Sequence, residues 1–349
     1  MNIIISIFLQ KILTTSFFKT HVKNNIQRSI SMLYKYKNKL TPQLIKLYIN
    51  VIHLQFFDFY LQKLIIHYKK TNFNLYLLTP IKMDHKYFNS NKSSHLVEEY
   101  FYLSLDKEDI PFKSAILPIG LTHLFYIVTG TQKVTVNDEY TLLNGLMITG
   151  QYFRSYTFSV NAISTSIGAS LHPTALHKLL NIDVSKLESK HVHLEQINKN
   201  FYHKILPIFK NSKDPKELFT NLNSFLLSLT LHTNKNTKQI DHAISLIREK
   251  EGVLSVLNLV DELSVSQKTL EIQFKKIVGL TPGRYIRQFR FLNLMKKYIS
   301  KEIEIKDLIY KYDYYDSSHF AKDFKLFMNE DFKSFFKHDY PLIEKILKK

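Results

Sequence analysis

Between residues 95 and 170, apolar positions come in short runs, among them AILPIG, HLFYIVTG and KVTVND, separated by Gly, Pro and Asn-Asp. Short apolar runs between such punctuation predict strands. KVTVNDEYTLLNG reads as two strands joined by a turn near Asn137-Asp138, and SYTFSV and STSIGASL continue the alternation. After Pro173 the period lengthens. ALHKLLNI, LEQINKNFYHKILPIF and ELFTNLNSFLLSLTL place apolar residues three and four apart, which predicts helices. The polar stretch HTNKNTKQ (232–239) predicts a linker. From Ile240 onward the pattern is helical throughout.

The helical part repeats. SVSQKTLEIQFKKIVG (264–279) aligns with YYDSSHFAKDFKLFMN (314–329) at an offset of 50, so that Leu270 matches Phe320, Phe274 matches Phe324, Lys275 matches Lys325 and Ile277 matches Phe327. Positions 270, 274 and 277 lie on one face of a helix, as do 320, 324 and 327. Ser266 and Asp316 suit the N-caps of these helices. Upstream, Leu259, Val260 and Leu263 match Leu308, Ile309 and Tyr312 at an offset of 49, so the second turn is longer by one residue. Two short helices around a tight turn, the second capped and amphipathic, make a helix-turn-helix. The chain carries two. Between them TPGRYIRQFRFLNLMKKYI (281–299) predicts one long helix, with Thr281 as N-cap and Pro282 at its first position. Tyr285, Phe289, Leu292, Leu294 and Met295 trace its apolar stripe. Such a helix would hold two recognition helices roughly one turn of DNA, about 34 Å, apart.

LVDELSVSQKTLEIQFKKIVGLTPGRYIRQFRF and IKDLIYKYDYYDSSHFAKDFKLF resemble the DNA-binding domain of the AraC/XylS family of bacterial transcription regulators. The resemblance covers residues 240–340, under a third of the chain. It implies a seven-helix domain that inserts two helices into successive major grooves of double-stranded DNA. It also implies an α+β protein, in which a β-rich, cupin-like or related N-terminal domain senses a small-molecule effector or forms a homodimer. The chain departs from the family in places. Asp313 and Asn329 stand where glycine is usual, Phe332 where proline is common, and Ile272 where a basic residue is common. Asp and Asn tolerate left-handed backbone better than most residues.

With Leu270, Phe274 and Ile277 inward, Gln267, Lys268, Glu271, Ile272 and Lys275 face the other way. Gln suits adenine, Lys guanine and Glu the amino group of cytosine, while Ile272 suits a thymine methyl. Ser317, Ser318, Lys322 and Lys325 take the equivalent face of the second copy. Arg284 and Arg287 on the long helix are candidates for phosphate contact or for a structural role. A solvated helix face is the plain alternative for all of them.

Composition changes the picture in two places. The chain has 349 residues and a formal charge of +18, and it contains no cysteine. The missing thiol excludes disulfides, zinc-thiolate sites and cysteine nucleophiles, including the methyl-accepting repair proteins that carry this kind of helical domain. The positive charge suggests an anionic partner, but it is unevenly placed. Residues 1–82 carry 12 Lys/Arg and one acid, whereas residues 240–340 carry 17 Lys/Arg and 15 Asp/Glu. Residues 1–82 contain no glycine and no uninterrupted apolar run long enough to span a bilayer. They read as a basic amphipathic extension, a membrane-surface segment, or a translated upstream region ahead of a working start at Met83.

Chemistry beyond binding finds little support. His191 and His193 form an H-x-H pair near His172 and His177, without a third ligand at metal spacing. There is no G-x-S-x-G elbow and no glycine-rich phosphate loop. We therefore expect no enzyme, no cofactor and no membrane partner. The expected organisation is an extension (1–82), a regulatory domain (83–231), a linker (232–239) and a DNA-binding domain (240–340), acting in the cytoplasm. The alternatives are a degenerate helix-turn-helix that serves as an interaction module, and an N-terminal sensor or enzyme without specific DNA binding.

Overall fold

A computed structural model describes residues 83–348, apart from 91, 92, 302 and 339. The readings of residues 1–82 lie outside the described residues. Residues Pro80–Lys349 form one compact unit.

The first part is an antiparallel sheet of eight strands: β1 (Asp84–Asn89), β2 (Val97–Leu105), β3 (Phe112–Ile116), β4 (Thr122–Val136), β5 (Glu139–Thr149), β6 (Tyr156–Val160), β7 (Ser164–Leu171) and β8 (His191–His193). Their main order is β1-β2-β7-β4-β5-β8, and β3 pairs with β6, which pairs in turn with β4. HLFYIVTG and KVTV are one continuous strand, β4. Its first half pairs with β7 and its second half with β6. The exchange of neighbours falls around Gly130, which has φ +72°. A Cβ there would lie 2.3 Å from the Ile163 carbonyl oxygen, so the close approach requires glycine. The β4–β5 hairpin turns at Asn137 and Asp138, both at positive φ (48° and 67°), as a two-residue hairpin turn demands.

Alternation along the strands builds two cores, because successive side chains point to opposite faces. Leu124, Leu146 and Ile148 face outward, onto helices α3 (Lys199–Asn211) and α4 (Pro215–Ser228). Phe125, Ile127 and Met147 face inward, with Leu103, Val134 and Phe158. Two shorter helices, α1 (Ala175–Leu180) and α2 (Leu194–Ile197), complete the outer layer. The stretch LEQINKNFYHKILPIF is two helices rather than one. It breaks at Asn198, whose side chain accepts from the Phe201 N–H at 2.9 Å and so caps α3.

The remainder is helical: α5 (Lys235–Glu249), α6 (Val256–Leu263), α7 (Gln267–Val278), α8 (Pro282–Ile299), α9 (Ile305–Lys311), α10 (Ser317–Met328), α11 (Phe332–Phe335) and α12 (Pro341–Leu347). The polar stretch 232–239 is not all linker. Asn234 and Thr237 form a capping box, so helix begins at Lys235. Thr281 caps α8, with Pro282 opening it. Leu259, Leu270, Phe274, Phe291, Phe320, Phe324 and Phe327 share a third core. Among the described residues no helix is long and apolar enough to cross a membrane.

Candidate nucleic-acid interface

The two turns are built alike. α6 ends at Ser264, which is left-handed at φ 49°, and Ser266 then accepts from the Thr269 N–H at 3.2 Å to start α7. α9 runs into Asp313 at φ 56°, and Asp316 accepts from the His319 N–H at 2.7 Å to start α10. Buried Leu270, Phe274 and Ile277 fix the rotation of α7, as Phe320, Phe324 and Phe327 fix that of α10. Both helices lean on α8. Phe291 stacks on Phe327 at 4.7 Å between ring centroids and meets Phe324 edge-on at 5.8 Å.

This rotation leaves the expected residues outward. Gln267, Lys268, Glu271, Ile272 and Lys275 are exposed on α7, and Ser317, Ser318, Lys322 and Lys325 on α10. Gln267 Nε2 donates to Glu271 Oε1 at 2.9 Å, which holds two of these side chains together one turn apart. Ile272, with no polar duty, stands 53% exposed. The extra residue of the second turn is Tyr315, 87% exposed, with Tyr310 nearby at 71%. Neither tyrosine was among the expected site residues, although the change of offset between 49 and 50 marks the place of Tyr315.

The arginines of α8 are engaged elsewhere. Arg284 Nη1 donates to Glu188 Oε1 at 2.6 Å, and its guanidinium lies 4.3 Å from the centroid of the Phe153 ring. Arg287 Nε donates to Oδ1 of fully buried Asp323 at 2.8 Å. Both side chains are thus paired within the protein while remaining partly exposed. Arg284 belongs to a seam between sheet and helices that carried no sequence signal. Gln288 Nε2 donates to the Tyr152 carbonyl oxygen at 2.6 Å, the Ser155 N–H to the Phe327 carbonyl oxygen at 2.7 Å, and Asn329 Nδ2 to the Ser155 carbonyl oxygen at 2.7 Å.

A cavity lies inside the folded sheet, with about 980 Å³ of empty space, its open mouth included. Phe101, Phe125, Val134, Leu143 and Phe158 supply much of its wall. His123 Nδ1 sits 3.1 Å from Thr149 Oγ1, and Tyr152 Oη 2.6 Å from His191 Nδ1. Burial pulls His123 down to about 4 and His191, which also feels His123, to about 3. Burial pushes Tyr152 and Tyr156 well above the ordinary tyrosine value. These four rings are therefore uncharged near neutrality. Among the described residues, no group of three or more His, Cys, Asp or Glu side chains is placed to hold a metal.

A family model described as a helix-turn-helix domain matches residues 259–338. Over 67 residues the chain is 33% identical to the HTH-type transcriptional activator RhaS of Escherichia coli (strain K12 / DH10B). Residues 259–338 are an AraC-type helix-turn-helix domain. The match to RhaS covers 19% of this chain and 24% of that protein, so the chain spans about a quarter of the length of the curated relatives it matches. A second family model, a domain of unknown function (DUF6597), matches residues 87–193, most of the sheet. Among solved structures, ToxT from Vibrio cholerae is similar at 12% identity, covering 72% of this chain and 98% of that one, with a TM-score of 0.38. The AraC-like transcriptional activator CuxR is similar at 12% identity, covering 61% and 81%, with a TM-score of 0.27.

Within the AraC-type domain, the places where glycine is usual take the backbone expected of them. Asp313 and Asn329 both have left-handed φ, 56° and 59°, and Gly279 occupies the position equivalent to Asn329 at φ 103°. Phe332 opens α11 beneath an Asp331 cap and packs edge-on against Phe320 and Phe324. Aromatic contact there replaces the fixed φ of a proline. The seven helices α5 to α11 agree with the number the resemblance implies.

Proposed function

We propose that the chain is a transcription regulator that reads specific double-stranded DNA in the cytoplasm, with α7 and α10 in successive major grooves. One observation carries this reading. Two capped helices, each with its apolar stripe buried, pack against a single helix, α8, α7 through Phe274 on Tyr285 and α10 through Phe327 on Phe291. A shared rigid support of this kind fixes the two outward faces relative to each other, as reading two major grooves about 34 Å apart requires. On this reading Gln267, Lys268, Glu271, Ile272 and Lys275 address one groove, and Ser317, Ser318, Lys322 and Lys325 the next. Residues 240–340 are then the DNA-binding domain and 83–231 the regulatory domain. The regulatory domain takes a small-molecule effector in the cavity and supports a homodimer.

Gel-shift titration against promoter fragments from the flanking genes tests the reading. A shift that survives excess unrelated DNA is expected. No specific shift at any salt concentration overturns it. Exposed Ile272, Tyr310 and Tyr315 favour a second reading, a module that contacts another protein through the same faces, and under that reading no DNA is shifted.

A further inference from the structure

The regulatory reading leaves open how a molecule in the sheet would reach the DNA-binding helices. The last helix supplies a route. α12 has two apolar stripes on adjacent faces. Leu342 and Ile346, four apart, line the cavity, and Leu342 is buried with Phe125 and Phe158 of the sheet. Ile343 and Leu347, also four apart, are buried with Phe335 and Met328 in the helical core. Lys345 Nζ reaches back to the His85 carbonyl oxygen at 3.4 Å. One helix of seven residues therefore belongs to both cores.

The lining also limits what can enter. Among the described residues it includes no lysine or arginine, and its one acid is Glu99. Gln132, Ser166 and Ser170 add neutral polar groups. An anion entering such a space would give up its water without gaining a counter-charge, which is costly. An uncharged molecule with a ring or chain for Phe101 and Phe158, and one or two groups able to hydrogen-bond, suits it.

We propose that α12 is a shared wall through which an uncharged, mainly apolar ligand in the cavity is felt by the DNA-binding domain. This rests on the regulatory reading above. The ligand packs against Leu342 and Ile346, and so tightens α12 onto the sheet. Ile343 and Leu347, on the same helix, carry that restraint into the helical core and onto α8.

The full chain is titrated with N-phenylnaphthylamine, an uncharged arylamine, and with anilinonaphthalene sulfonate, similar rings bearing a negative charge. The amine is expected to bind once per chain, about tenfold or more tighter than the sulfonate. Bound amine is expected to slow amide hydrogen exchange across residues 341–348 by about threefold. Ser166→Phe puts a ring into the cavity and should abolish both effects. Ile346→Ala, a milder change at a half-buried position, should weaken amine binding and shrink the protection. Absence of saturable amine binding, equal or tighter binding of the sulfonate, or bound amine with unchanged exchange over 341–348 each overturns the proposal. None of these readouts involves DNA, so a failed gel shift beside intact amine effects would count against the DNA reading alone.

Discussion

Asp323, fully buried at the middle of α10, is held by Arg287 of α8 through a guanidinium hydrogen bond of 2.8 Å. Tyr314 Oη donates to its other oxygen at 3.0 Å, and the Arg290 guanidinium lies 4.7 Å from the Tyr314 ring centroid. The pair ties α10 to α8, beside the turn at Asp313. Arg287→Ala would take the counter-charge from a buried carboxylate that Tyr314 still holds; because Arg287 itself is partly exposed, a loss of about 1–3 kcal/mol is expected. Chemical denaturation checks it. An Arg287 that served only as a phosphate contact would leave the unfolding midpoint unmoved.

The two lysines on the outer faces should behave in the opposite way. Lys268→Ala with Lys322→Ala is expected to leave melting unchanged and to weaken DNA binding. Where both lysines neutralise phosphates, the slope of log affinity against log salt should fall by about 2. Gel shifts over a salt series give the slope. An unchanged slope and affinity would remove both residues from the interface.

The left-handed positions allow a matched comparison. At Asp313 glycine relieves the crowding of a Cβ in left-handed backbone, and Asp313→Gly is expected to raise stability by about 0.5–1 kcal/mol. Asn329→Gly relieves the same crowding but deletes the 2.7 Å bond from Asn329 Nδ2 to the Ser155 carbonyl oxygen. That bond is worth about 1 kcal/mol, so no gain is expected at Asn329. Thermal melts of the two variants side by side distinguish backbone strain from contact with the sheet.

Acid should loosen the sheet in a definite window. In the folded chain His123 and His191 titrate at about 4 and about 3, whereas unfolded histidines titrate near 6.5. Below about 6.5 the unfolded state therefore binds protons that the folded state refuses, and stability falls as pH drops toward 4. Above about 6.5 neither state is protonated and these residues add no slope. Urea midpoints at several pH values should show the decline, and His123→Gln with His191→Gln should reduce it, the remainder coming from His172, which burial also pulls down to about 3.

Much of the helical half could be read in advance, because its information is local and periodic. The stripes at 270, 274, 277 and at 320, 324, 327, the caps at Ser266, Thr281 and Asp316, and the strained turn at Asp313 all rest on residues within a few positions of one another. The start of α5 was equally local. The Asn234–Thr237 capping box signals it, but the polar composition of 232–239 conceals it. What stayed hidden joins distant positions. Arg284 meets Glu188 and Gln288 meets Tyr152, and no spacing rule connects residues so far apart. The change of partner along β4 was hidden for a related reason. Alternation fixes which face a residue takes, not which strand lies beside it. The double membership of α12 was masked because each of its stripes is only two residues long.

α8 is a single unbroken rod from Pro282 to Ile299, with no glycine or proline beyond its first turn. A rod of that kind cannot swivel. The two helices it carries would share one face of the duplex, and base pairs lying between their sites would be free to vary in identity but not in number. Each inserted pair would turn one site away from the other by about a tenth of a revolution, and about five would carry it to the far side. Such a regulator would be far more sensitive to a short insertion between its two sites than to a base change at either.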